Sequence, residues 1–371
     1  MNAITQPWDE VRQIVASDLV PLTDRIDRQG FYPESLLRRF GEAGLYNAHV
    51  GDRSGLWDAI SGLAEVGQTC LSTAFAVWCQ DACGWYLANS DNSALRDSVL
   101  PEVASGRLLG GTGLSNPMKA YAGIEAVRLS GERVEGGYVV SGVLPWVSNL
   151  GPDHVFGAIF TVPGREYAVM ALIRCDHPGV KIDQRTHFCA LEGTRTVAVM
   201  LKQAFIPDAD ILADPAEPYL VRVTPGFILL QAGMALGLIR GAVDAMHDAD
   251  VTHGHINAFL PERPELFEET LTGLEATVKE LAATPYESHP DFMRTLLEAR
   301  LAAAEWGLKA VNAAMLHAGT RGYLIDGTAQ RRLREAYFIA IVTPSIKHLR
   351  KELSDITAGG GCMRRWKEVA G

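Results

Sequence analysis

Apolar positions along the chain follow a helical period, then a strand period, then a helical period again. From Trp8 to Val20 the apolar residues Val11, Ile14, Val15 and Leu19 recur at helical spacing. A second helix is predicted from Pro33, where proline suits a first-turn position, to about Gly44. Gly51 to Gly55 reads as a loop. Apolar helices follow over Leu56–Gly67 and Ser72–Leu87, and a third over Ser93–Ser105 with Ser93 as its N-cap. From Gly110 to about Ile211 the runs become short and β-rich: Tyr138–Val140, His154–Thr161, Tyr167–Ile173 and Thr196–Leu201, punctuated by Gly, Pro and Asp. Beyond Gly226 helices return over Phe227–Ala249, Pro264–Ala283, Pro290–Ala318 and Ala329–Val342. Several are apolar on more than one face, as in a bundle or a subunit contact.

These changes of period predict three domains: 1–110 helical, 111–212 β, and 213–371 a helical bundle. The fold class is α+β, mostly α, with a β-barrel or sandwich in the middle. A chain of 371 residues with 47% hydrophobic residues can bury a sizeable core. The net charge of −10 argues against a nucleic-acid partner, whose phosphates need a basic face. The polar start MNAITQPWDEVRQ is unlike a secretory signal, and no uninterrupted apolar run reaches the ~18 residues of a membrane span, so a cytoplasmic protein is expected. The six cysteines show no paired metal spacing and read as reduced thiols; no metal site is expected. The tail from Ala358 through Gly359-Gly360-Gly361 to Gly371 is flexible in composition, and is expected to be disordered or to cover a neighbour.

Candidate chemistry enters through a set of motifs in fixed order. They are Gly113-Leu114-Ser115-Asn116-Pro117, Trp146-Val147-Ser148-Asn149, Gly193-Thr194-Arg195-Thr196, the turn Gly319-Thr320-Arg321-Gly322-Tyr323 and the helix triplet Arg334-Glu335-Ala336. Together they resemble the acyl-CoA dehydrogenase superfamily over nearly the whole chain. The resemblance implies a helical–β–helical fold and a flavin cofactor, FAD or FMN. It implies Ser115, Trp146 and Ser148 around the flavin ring: a flat apolar ring needs an aromatic bed, and its polar edge needs a few hydrogen-bonding groups. Gly319 and Gly322 belong to the turn that the family places near its cofactor. A homodimer or homotetramer and a small-molecule substrate are implied as well.

The chain departs from the family pattern at its chemistry. Nine residues past Arg334, where most family dehydrogenases carry the Glu that removes the substrate α-proton, stands Thr343, followed by Pro344. Thr343 also reads as an N-cap with Pro344 opening a helix over Ser345–Leu353. The alternative position for that Glu falls at about Phe227, beside Ile228. The Arg-x-x-Phe-Gly segment that reaches the FAD pyrophosphate is replaced by His253-Gly254-His255-Ile256-Asn257, and His is a poorer phosphate clamp than Arg. His253 is the candidate phosphate contact there, against the alternative of a solvated loop. A general base needs a titratable group within reach of the proton, so the catalytic residue is unassigned, with His317 and His187 as candidates. The superfamily branch that commonly lacks the Glu comprises flavin-dependent monooxygenases, which take reduced flavin from a separate reductase and react it with O2. A two-component-type monooxygenase is therefore the expected function. Alternatives are an acyl-thioester dehydrogenase with a displaced base, for which Glu335, Glu192 and Asp81 are the acids to try, and a non-catalytic binding or assembly subunit.

Overall fold

The structure is a computed structural model that describes residues 8–50, 55–184 and 187–370. The loop expected at Gly51–Gly55 falls largely outside the described residues. The N-terminal helices are α1 Asp9–Ile14, α2 Thr23–Gln29, α3 Glu34–Glu42, α4 Leu56–Gly67, α5 Leu71–Asn89, α6 Ser93–Ser98 and α7 Leu100–Ala104. The helix expected from Trp8 tightens and loosens rather than stopping: a π turn over Val15–Leu19 and a 3₁₀ turn over Val20–Leu22 join α1 to α2. The single helix expected over Ser93–Ser105 breaks at Val99. Its N-cap is Asn92, whose side chain accepts from Ala94 N, and not Ser93. Asn is as good a cap as Ser, and the pattern alone does not choose between neighbours.

Eight strands are described: β1 Gly110–Thr112, β2 Leu129–Val134, β3 Gly137–Val147, β4 Val155–Thr161, β5 Ala168–Arg174, β6 Val180–Asp183, β7 Val197–Pro207 and β8 Ile211–Ala213. They form one sheet in the order β6-β7-β3-β2-β4-β5-β8, with β1 paired in parallel to β4. A helix, α8 Ser115–Tyr121, interrupts the stretch that the pattern gave wholly to strands. Gly111 lets β1 lie against the end of β3: a Cβ there would come within 2.4 Å of the Ser148 carbonyl oxygen.

The C-terminal helices are α9 Glu217–Leu230, α10 Ala232–Asn257, α11 Pro264–Ala282, α12 Pro290–Ala318, α13 Thr328–Ile341, α14 Ile346–Thr357 and α15 Cys362–Ala370. α9 and α10 run on almost without a break, so the helix expected to begin at Phe227 starts ten residues earlier, with Pro225 inside it. The stretch Glu217–Asn257 is long and apolar enough to cross a membrane, but 94% of its apolar window is buried inside the fold. It is the core helix of the bundle.

One apolar core is shared by the N-terminal helices, the C-terminal helices and the inner edge of the sheet; a second lies within the sheet around Tyr138, Phe156, Phe160 and Val199. α5 is buried along nearly its whole length because it passes through the middle of the first core. The expected flexible tail is instead helix α15. Its Trp366 is 1% exposed and meets the Tyr121 ring edge-on at 5.3 Å. Tyr121 in turn donates to Glu217 Oε1 at 2.8 Å. Composition marked the glycines but not the single indole that docks the segment. Trp366→Ala should cost about 3 kcal/mol in denaturant unfolding, by loss of burial and the cavity left behind.

Candidate functional site

A cavity of about 340 Å³ opens where the three layers meet. α5 contributes Phe75, Trp78 and Cys79; the end of β1 gives Thr112 and α8 gives Ser115 and Lys119; the end of β3 gives Trp146 and Ser148. The segment before β7 gives Phe188, Cys189, Ala190, Leu191, Thr194 and Thr196. α9 adds Phe227, and the end of α13 adds Arg334, Tyr337, Phe338, Ile341, Val342 and Thr343.

The inner wall is aromatic. Phe75 stacks on Trp78 at 5.6 Å, Trp78 meets Phe227 at 5.2 Å, and Phe75 meets Phe338 at 4.3 Å. Trp78 is 2% exposed, and its indole Nε1–H has no partner. Trp146, by contrast, is 55% exposed although it sits on a strand. A large indole left open beside a cavity offers a flat apolar bed.

The other wall is lined by hydroxyls. Ser115 Oγ and Thr343 Oγ1 lie 2.8 Å apart. Thr343 therefore does not cap the following helix. Its hydroxyl pairs with Ser115, and α14 begins only at Ile346 behind Ser345, which makes no side-chain cap bond. The Thr343 carbonyl accepts from Gln231 Nε2 at 2.8 Å. Gln231 Oε1 accepts from Arg300 Nε at 2.9 Å, and Arg300 Nη2 donates to the Ile339 carbonyl at 2.9 Å. Arg300 is wholly buried, and this desolvation lowers its guanidinium to about 10. It serves the carbonyl-rich C-terminal end of α13, where a cation is favoured by the helix dipole.

Asn149 fixes where Trp146 and Ser148 stand. It is fully buried, with φ 62, a left-handed conformation that Asn tolerates better than most residues. Its Oδ1 accepts from Tyr32 OH at 2.7 Å, and its Nδ2 donates to the Gly110 carbonyl at 2.7 Å. Its N–H donates to the Thr194 carbonyl at 2.9 Å. Its own carbonyl accepts from His154 Nδ1 at 2.9 Å, which places the His154 proton on Nδ1. On the far side Arg334 closes the cavity: it grips Asp27 of α2 through both Nη atoms at 2.9 and 2.6 Å and donates to the Cys189 carbonyl at 3.0 Å.

Not every candidate residue is brought here. Ser115, Trp146, Ser148 and Thr343 line the one cavity, though they lie up to 228 positions apart in sequence. His317 does not: it is buried, with Nδ1 on Asp250 at 3.0 Å and Nε2 on the Glu262 carbonyl at 2.9 Å, so both nitrogens are engaged in holding α10 to α12. His187 has a side chain 90% exposed and lies 3.6 Å from Glu192, outside the cavity. His253 is on α10, with Nδ1 2.7 Å from the Thr252 hydroxyl, and not on a loop. Gly319 ends α12 at φ 55 and Gly322 packs under Ala318; neither lines the cavity. The acids fare no better. Glu335 is buried against Arg331 at 3.3 Å. Asp81 is buried with its carboxyl pushed well up by desolvation. Glu192 faces the surface loop. Among the described residues no carboxylate and no imidazole lines the cavity. The Cys79 thiol, which does, is pushed well above its usual range by burial. Nothing in the local pattern marks Phe75, Trp78 or Phe338, which become neighbours only when α5 and α13 pack.

The first part of the chain, residues 5–107, matches the family model for the acyl-CoA dehydrogenase N-terminal domain. A probable acyl-CoA dehydrogenase of Bacillus subtilis, YngJ, is 24% identical over 89% of this chain and 91% of its own. The chain belongs to the acyl-CoA dehydrogenase superfamily. Benzylmalonyl-CoA dehydrogenase of Aromatoleum aromaticum is also 24% identical, over 87% of this chain and 89% of its own. The fold agrees: a glutaryl-coenzyme A dehydrogenase bound to glutaryl-CoA superposes with a TM-score of 0.83 at 19% identity, over 94% of this chain and 93% of that one. KijD3 in complex with FMN and a dTDP-amino-keto sugar superposes at 0.78 and 18% identity, over 98% of both. As a member of this superfamily the chain is an enzyme of the oxidoreductase class.

Two outcomes follow from the hub at Asn149. Asn149→Ala leaves the Tyr32 hydroxyl and the Gly110 carbonyl without partners and puts Ala at a positive φ. Unfolding stability should fall by about 3 kcal/mol. His154 is held neutral, its imidazole lowered first by burial. Below about pH 6.5 the unfolded chain takes up a proton here that the folded one refuses. Its contribution is therefore complete above about 6.5 and is lost as pH falls through the lowered folded value. His154→Asn, which keeps a donor for the Asn149 carbonyl, should show a flatter stability profile between pH 7 and 5.

Proposed function

We propose that this oxidoreductase is a flavin-dependent monooxygenase of the two-component type, which receives reduced flavin and reacts it with O2 beside a bound substrate. The reading rests on one observation above others: among the described residues, no carboxylate and no imidazole lines the cavity. Abstraction of a proton α to a thioester needs such a group within hydrogen-bond reach. The lining fits a flavin ring. The half-exposed Trp146 supplies a flat bed, and Ser115 and Ser148 supply hydrogen-bonding atoms along an edge. When bound, the flavin supplies the electrons and the site of oxygen activation. This chain's residues supply a wall that excludes water and an aromatic recess of Phe75, Trp78, Phe227 and Phe338 for the substrate.

The same exclusion of carboxylates suits oxygen chemistry, because a buried negative charge would oppose the negative charge that oxygen acquires. A phosphate contact by His253 would have to be made across an assembled oligomer. Such an assembly is part of this proposal: Val251, Ile256, Phe259, Leu316, Tyr323, Leu324 and Ile325 are exposed at one end of the bundle, and a second copy of the chain would cover them. A flavin reductase is the partner that the reaction requires.

The second reading is an acyl-thioester dehydrogenase, favoured by relatives whose names are acyl-CoA dehydrogenases. One experiment separates the two. Protein mixed anaerobically with reduced FMN and then exposed to O2 should reoxidise through an absorbing species far longer-lived than with free flavin. Immediate reoxidation, together with bleaching of bound oxidised flavin by an acyl-CoA, would establish the dehydrogenase reading instead.

A further inference from the structure

The hydroxyls beside Trp146 form a chain whose direction is fixed at one end. Leu191 sits at φ 63, and this left-handed turn aims its carbonyl back into the 3₁₀ turn Glu192–Thr194. The carbonyl lies 2.7 Å from Thr194 Oγ1 and has no hydrogen to give, so the Thr194 hydroxyl must donate to it. Thr194 Oγ1 is also 2.8 Å from Thr196 Oγ1. With the Thr194 proton already used, Thr196 is the donor in that contact. Thr196 Oγ1 is in turn 2.6 Å from Ser148 Oγ. With the Thr196 proton used, Ser148 is the donor. Ser148 has one proton, and it points along the chain at Thr196. What Ser148 presents to the cavity it lines is lone pairs only.

Ser148 is 7% exposed, lies just past the end of β3 and lines the same cavity as Trp146. A ligand lying on Trp146 thus meets an acceptor that cannot turn into a donor without breaking a hydrogen bond of the chain, because the end at the Leu191 carbonyl cannot reverse. Oxidised flavin presents unprotonated ring nitrogens where the reduced form, having gained two electrons and two protons, presents N–H groups. An acceptor fixed in place favours the form that donates.

We infer that the Leu191–Thr194–Thr196–Ser148 chain is a redox-state selector that makes the cavity bind reduced flavin more tightly than oxidised flavin. This rests on the flavin reading above and deepens it: the site would capture the delivered reduced cofactor and release it once oxidised. Ser148 would be the group in contact with the flavin, and Thr194 and Thr196 are positioning residues that act through it.

The test is binding of FMN, in its oxidised form and reduced with dithionite under anaerobic conditions, to the full chain, with the two-electron potential of bound FMN as an independent readout. The reduced form should bind about tenfold more tightly, one neutral hydrogen bond's worth, which is an upward shift of about 30 mV relative to free FMN. Thr194→Val removes the fixed end, lets the chain reverse and should abolish most of that preference while oxidised FMN still binds. Thr194→Ser, which restores the hydroxyl, should restore the preference. If Thr194→Val does not fold, Ser148→Ala makes the same comparison by deleting the acceptor. Binding with no preference for the reduced form, or a preference untouched in Thr194→Val and Ser148→Ala, overturns the selector and leaves the flavin reading standing. No binding of FMN in either state overturns both.

Discussion

The site is organised by the need to satisfy one buried amide. Asn149 lies where the N-terminal helices, the sheet and the 188–196 segment converge, and water does not reach it. Each of its four polar groups must find a protein partner, and each finds one in a different place: Tyr32, Gly110, Thr194 and His154. A buried amide with one partner missing costs more than the bond itself is worth. The four contacts therefore stand or fall together. They set the end of β3, hence Trp146 and Ser148, and through Thr194 they also set the loop that carries the hydroxyl chain.

A second clamp acts from the C-terminal side. Arg334 binds Asp27 and the Cys189 carbonyl, which ties α13 to α2 and to the same loop. The Arg300–Gln231 pair then holds the end of α13 and the Thr343 backbone against Ser115. The polar frame is thus complete on three sides, and none of its members is an acid facing the cavity. The carboxylates that do occur nearby, Asp27 and Glu335, face arginines. Among the described residues, the chemistry left to the cavity is that of flat aromatic surfaces, hydroxyls, the cysteines Cys79 and Cys189, and two cations, Lys119 and Arg334.

Much of the scaffold could be read from the chain. Leu56–Gly67 and Pro290–Ala318 are helices with the bounds expected of them, because their apolar periodicity ends at clear breaks. Strands such as Val155–Thr161 and Ala168–Arg174 were legible because they are nearly all apolar and bounded by turn residues. Where the reading failed, a tertiary contact had overridden a local rule. Trp366 pulls a glycine-led tail into a helix, Pro225 is carried inside a buried helix, and Ser115–Tyr121 folds as a helix within a strand-like stretch.

The sequence by itself determined the order helical, β, helical, because hydrophobic period is a local property and each segment must bury its own apolar face. It also holds Thr343, and a stretch at about Phe227, where the superfamily resemblance leads one to expect a Glu. Only the tertiary structure decided that Phe75, Trp78, Phe227 and Phe338 form one wall, that Thr343 pairs its hydroxyl with Ser115, and that His317 is consumed by Asp250. It alone gave the hydroxyls of Ser148, Thr196 and Thr194 a direction. A hydroxyl can donate or accept equally well, and the choice is made by the Leu191 carbonyl at the end of the line, which no local pattern in the chain reveals.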